Sequence, residues 1–270
     1  MPLLWLRIAV ACYGVGLIYA LLLLSRRSDL LSRIALPAVA LGMVFHLVSL
    51  TEAFQAHQLT LSSVHNAESL LAFVIMAFFM IVYARYRTST PGMFVFPLVF
   101  LLTFAAAIGQ QRNLLTTPSM RSGWIFIHIA LIFVGYAALF LSFGASLLYL
   151  IQERRLKSKQ PGGLLSGLPA LQTIDEIGYR SLLLGFPFMT LGLIAGSVVA
   201  ESTYGRIDLQ DPKILLSLLM WAVYLVMVYT RWIAGWRGRK AAVLASVAFA
   251  AAIVAWAANY FSTIHRFAAS

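Results

Sequence analysis

Eight times along this chain, the sequence runs for about 18 or more residues with scarcely a charge, near 3–24, 34–54, 67–85, 92–109, 123–151, 181–200, 214–232 and 241–261. Each run is long enough to cross a hydrocarbon core of roughly 30 Å as an α-helix. Composition leaves little else open. Of 270 residues, 61% are hydrophobic and 11% charged, with mean hydropathy +0.87, where a soluble domain carries about 25% charged residues. The expected fold is all-α, a polytopic membrane bundle of about eight helices forming a single transmembrane domain over 1–270. The first run has no small-residue cleavage site and is followed by seven of its kind, so it reads as a retained helix rather than a signal peptide.

The distribution of charge supplies the expected orientation. Arg26, Arg27, Arg33, Arg85, Arg87, Arg154, Arg155, Lys157, Lys159, Arg180, Arg231, Arg237, Arg239 and Lys240 all fall in the loops after odd-numbered spans. The positive-inside rule makes that side cytoplasmic and places both termini outside. A net charge of +11 dispersed beside helix ends marks topology and contact with anionic membrane lipid, and no nucleic-acid partner is expected. The fifth span lacks proline from Gly123 to Ile151 and should run roughly 43 Å, past the bilayer at one end. After it comes the longest loop, about 152–179, expected in the cytoplasm. It turns through Pro161-Gly162-Gly163 and closes in an amphipathic stretch, 168–177, expected to lie along the inner surface.

All five histidines fall on the outer side in this topology. His57 and His65 belong to the loop before the third span, His128 sits about one turn inside the fifth, and His265 follows the eighth. His46 lies within the second. An ionisable group inside a span is costly and has a functional or paired role, and neutral imidazole is the usual axial ligand of haem iron. For His128 and His265, interfacial hydrogen bonding stands beside ligation; for His57 and His65, solvation in the loop is the default; for His46, a helix-to-helix hydrogen bond competes with a cofactor role. Glu52 and Glu68 flank one outer loop. Glu201, Asp208 and Asp211 lie in another, about 201–213, where a solvated rim paired with Arg206 and Lys213 is the plainer reading. Asp211-Pro212-Lys213 places a turn residue, a proline at the first helical position and a cation at the membrane surface. The single cysteine, Cys12, lies in the first run, so the chain has no CxxC pair. HExxH, Walker, GxSxG and strand-linked GxGxxG signatures are likewise absent from the sequence, which sets aside standard zinc hydrolases, nucleotide-binding proteins and serine hydrolases.

Leu168-Pro169-Ala170-Leu171, Asp175, Tyr179-Arg180, Gly185-Phe186-Pro187, Thr190-Leu191-Gly192 and Gly196 together resemble the cytochrome c assembly family, in its CcsA-like and HemX-like branches. The same order continues through Tyr204-Gly205, Asp211-Pro212-Lys213, Ser217, Trp221, Tyr224 and Arg231. Upstream, His128 with Gly135-Tyr136 and Leu148-Tyr149 resembles the family's histidine helix, and His57 to Ser63 with Asn66, Glu68 and Ser69 its outer loop. The resemblance implies a protein that presents non-covalent haem b at the outer face, with His128 and His265 as axial ligands of the iron. The loop from Glu201 to Lys213, with Tyr204, Asp211 and Lys213, would lie against the porphyrin, and Glu68, His65 and His46 join the candidate haem-binding set. Apocytochrome c and other cytochrome c assembly subunits are the implied partners, and catalysis would belong at most to a haem-attachment system of which the chain is a component. A bacterial plasma membrane is the expected location. The chain departs from the family in one respect: its 200–213 loop contains no tryptophan, and Tyr204 is its only aromatic. That departure draws it toward the HemX-like branch, a regulator or scaffold of haem biosynthesis acting through the 152–179 loop. A small-molecule transporter, with His46 and the glycines of the sixth span lining a pathway, ranks third.

Overall fold

A computed structural model describes residues 2–23, 29–56, 64–109, 123–158, 169–204 and 211–257. The described residues form eight helices and no strand: α1 (Pro2–Leu23), α2 (Asp29–Gln55), α3 (Val64–Tyr86), α4 (Gly92–Ile108), α5 (Gly123–Lys157), α6 (Leu171–Tyr204), α7 (Pro212–Trp232) and α8 (Arg239–Ala257). Six of them, α1, α2, α3, α5, α6 and α7, are long and apolar enough to cross a membrane. α4 is a shorter apolar helix of 17 residues. The chain is thus a multi-pass, all-helical membrane protein. Its helix ends follow from local chemistry. Arg87 adopts a left-handed φ of 53° and stops α3. Pro91 then opens α4, where its missing N–H leaves nothing unsatisfied. Pro37, Pro97 and Pro187 sit inside α2, α4 and α6, as membrane helices tolerate.

The helices divide into two compact units, residues 1–114 with 151–173, and residues 115–150 with 174–270. In the first, α1 packs along α2 and α4, and α3 along α4. Two glycines permit the close approach: a Cβ at Gly16 would come within 2.7 Å of Val39, and one at Gly42 within 2.8 Å of Cys12. Apolar tails attract lipid as well as each other, so small residues at such seams supply the helix-to-helix contact. Tyr13, Met76, Phe79 and Phe96 fill the interior. In the second unit, Leu139, Leu182, Met189, Met220, Tyr224 and Met227 form the core.

The structure revises one expectation about the 152–179 segment. The amphipathic stretch 168–177 does not form a separate surface helix; from Leu171 onward it is the first part of α6, which runs unbroken for 34 residues. Its apolar side chains explain the difference. Ile174 and Ile177 are buried against protein, so this face has no need of a lipid surface. α5 likewise extends six residues past Ile151, to Lys157, closed by a Lys157–Glu153 ion pair one turn apart at 2.8 Å.

Candidate functional site

The second unit carries His128, near the start of α5. Its Nδ1 lies 2.7 Å from the carbonyl oxygen of Gly192 on α6. A carbonyl only accepts, so Nδ1 donates, and in the neutral ring the lone pair then belongs to Nε2. Histidines that ligate metals are held in this way, one ring N–H given to a carbonyl or carboxylate and the other nitrogen turned to the metal. Glycine makes the approach possible. A Cβ at Gly196, one turn beyond Gly192, would lie 2.6 Å from His128 Cε1, and one at Gly192 would lie 2.7 Å from Ile132 Cδ1. The imidazole is therefore seated on bare backbone. The glycines read as a possible transport path instead accept side chains: Gly185 meets Tyr224, Gly192 meets Ile132 and Gly196 meets His128.

Around this seam, α6 and α7 are tied by the Trp221 indole N–H, which donates to Thr190 Oγ1 at 3.0 Å, and by Phe186 stacked on Trp221 at 6.2 Å. Asp211 is 3% exposed and stands before Pro212 at the start of α7, where its carbonyl accepts from Leu215 N at 3.1 Å. A carboxylate there lies at the positive end of the helix dipole. Tyr204 ends α6 and Lys213 is the second residue of α7. His265 and His57 lie outside the described residues.

The other candidates belong to the first unit. His46 on α2 is fully buried, with Nδ1 3.3 Å from Tyr13 Oη on α1 and Nε2 2.9 Å from Ser69 Oγ on α3. Its ring also meets Tyr13 and Phe73 edge-on, at 5.9 and 5.6 Å. The helix-to-helix hydrogen bond, one of the two readings of this residue, is present twice over. His65 and Glu68, one turn apart on α3, approach to 3.5 Å, and the His65 ring lies flat on Gly109 at the end of α4. Nearby in the sequence, Trp5 Nε1 on α1 donates to Glu52 Oε1 on α2 at 2.9 Å, with the indole stacked on Phe45 at 5.7 Å.

Sequence reasoning placed Asp175 and Arg231 in a motif but not in contact. In the second unit, Arg231 Nη2 lies 2.7 Å from Asp175 Oδ2 and donates to the Asp175 carbonyl at 2.9 Å, while Nη1 donates to the Trp236 carbonyl at 2.9 Å. Its guanidinium stacks over Tyr179 at 5.0 Å, and Asp175 Oδ1 accepts from Gly238 N at 3.2 Å. The available signal was topological: the adjacent carboxylates Asp175 and Glu176 ahead of the sixth span and the arginine ending the seventh fall on the same side in the expected topology. Among the described residues, no group of three His, Cys, Asp or Glu side chains could hold a metal ion.

Sequence comparison relates the chain to known proteins. A sequence model of the family described as Cytochrome C assembly protein matches residues 6–265. The protein named cytochrome c biogenesis protein CcsA from Mesostigma viride is 24% identical over 227 residues, covering 75% of this chain and 73% of that one. Its namesake from Chlamydomonas reinhardtii is 32% identical over 156 residues, covering 57% and 42%. That from Guillardia theta is 27% identical over 210 residues, covering 70% and 69%. With nearly its whole length matched, the chain belongs to the cytochrome c assembly protein family.

Proposed function

We propose that this protein handles haem in c-type cytochrome biogenesis, holding haem b non-covalently at the outer face of a bacterial plasma membrane through His128 and His265. The shared name of its relatives supports the role in cytochrome c biogenesis. The observation that carries the haem reading is the His128–Gly192 hydrogen bond, because it gives a membrane histidine the tautomer and the rigid seat that an axial ligand needs. Bound haem supplies an iron for two imidazoles and vinyl groups to which apocytochrome thiols add. The chain's own residues position and hold. Gly192 and Gly196 let α6 close on His128, Asp211 starts α7 beside the loop, and Tyr204 and Lys213 border that loop in sequence. His65 and Glu68 order the adjoining outer segment. Apocytochrome c and other assembly subunits are the partners such a role requires.

The test is an absorption spectrum of the detergent-purified full chain, oxidised and dithionite-reduced, from cells with ample haem. The expected spectrum is low-spin and bis-imidazole, lost or converted to high-spin in His128→Ala and in His265→Ala. Haem-free wild type, or a Soret band indifferent to both substitutions, would overturn the reading. The tryptophan-free loop favours a second one, a HemX-like regulator of haem biosynthesis that does not itself deliver haem. Partner capture that survives His128→Ala and is lost on deleting residues 157–174 would support it.

A further inference from the structure

We infer that the turn between α7 and α8 is a preformed binding site for the headgroup of an anionic phospholipid. This inference stands apart from the haem reading. α7 is 21 residues long, about 31 Å at the helical rise, which matches the hydrocarbon core and brings its last residue to the headgroup boundary. There Trp232 is 73% exposed and Ile233 70% exposed, with Trp236 exposed a turn later. Tryptophan at this depth is the usual interfacial anchor. Three cations follow at once, Arg237, Arg239 and Lys240, all exposed. Among the described residues, no ion pair involves any of them; Lys240 sits 5.8 Å over the Trp236 ring.

The fourth cation explains why the turn has a shape. The Arg231 side chain is 8% exposed and committed: it binds Asp175 and donates to the Trp236 carbonyl within the turn. Asp175 also takes the Gly238 N–H, so the nearby carboxylate is consumed in fixing the backbone and leaves the outer three cations uncompensated. Further backbone bonds, Ile233 N to Tyr229 O at 2.8 Å and Trp236 N to Thr230 O at 3.0 Å, hold the rest. Gly235 and Gly238 adopt left-handed φ of 65° and 63°, which another residue would strain. A rigid turn with apolar anchors and three unneutralised cations at the headgroup level complements a lipid phosphate carrying net negative charge. A zwitterionic headgroup, whose own cation opposes these three, fits it poorly.

Native mass spectrometry of the full chain, titrated with phosphatidylglycerol and with phosphatidylcholine, tests this. Wild type should prefer phosphatidylglycerol. The variant R237Q/R239Q/K240Q should lose about a hundredfold of that preference, from roughly one factor of five per cation, with phosphatidylcholine binding unchanged. The matched R154Q/R155Q/K157Q at the end of α5 should keep it. An unchanged preference in the first variant, or an equal loss in the second, would overturn the proposal. Should the first variant fail to fold, wild type alone decides: in vesicles, phosphatidylglycerol should shield Arg237 and Arg239 from an arginine-directed reagent several-fold better than phosphatidylcholine does. Equal labelling in both lipids rejects the site.

Discussion

His46 and His128 are both histidines set into membrane-spanning helices, one in each unit, and their surroundings commit their rings differently. His46 lies between two hydroxyls, Tyr13 at 3.3 Å and Ser69 at 2.9 Å. A hydroxyl donates or accepts, so the two contacts suit either tautomer. The ring works as a strut across α1, α2 and α3, both nitrogens engaged within the unit. His128 faces a carbonyl, which only accepts, and the contact selects one tautomer. Its ring rests on glycine backbone at Gly196. The contrast teaches that burial alone does not make a membrane histidine a candidate ligand; the chemical type of its neighbour does.

The largest effect expected from this contrast is on His128 itself. His128→Ala should lower haem affinity by at least about a hundredfold, more than the loss of an outer-shell partner costs, with helical content unchanged by circular dichroism. Retained affinity would erase the distinction between the two units. Next comes the seat. In Gly196→Ala the new Cβ would meet the imidazole at 2.6 Å, so the ring must move off the Gly192 carbonyl. Haem affinity should fall about tenfold, with a changed spin state. An unaltered spectrum would show that the tautomer argument is empty.

On the other side of the comparison, His46→Phe should leave any haem spectrum alone and cost stability instead. The phenyl ring keeps the contact with Phe73 but strands the Tyr13 and Ser69 hydroxyls in a buried place. One stranded group costs about 1–3 kcal/mol, although membrane hydrogen bonds average nearer 0.6. Thermal unfolding in detergent reads the difference. A lost Soret band with unchanged stability would make His46 a ligand rather than a strut.

Much of this architecture is legible in the amino-acid order. The eight apolar runs become eight helices, because length and hydropathy leave a membrane segment few alternatives. What stays hidden is whatever depends on a partner distant in sequence. Ile174 and Ile177 make an apolar face that suits a lipid surface or a protein core equally, and only packing reveals the core. Gly192 and Gly196 stand in the sequence only as motif residues or a pathway lining, because a glycine does not announce what fills the space beside it. Asp175 and Arg231 are 56 residues apart, and no local spacing pairs them. His128 was singled out by its type and depth, whereas the carbonyl that orients it belongs to another helix.

The smallest expected effect lies at Trp5, and it sharpens the comparison most finely. Trp5 donates to Glu52 at 2.9 Å while its ring stacks on Phe45. Trp5→Phe keeps an aromatic on Phe45 and removes one N–H. The loss should therefore sit near the membrane average of about 0.6 kcal/mol, well below His46→Phe, and leave the spectrum as it was. A much larger loss would mean that the α1–α2 tie at this end, rather than the buried His46 strut, holds the first unit together. The contrast would then run between the end and the middle of one unit instead of between two histidines.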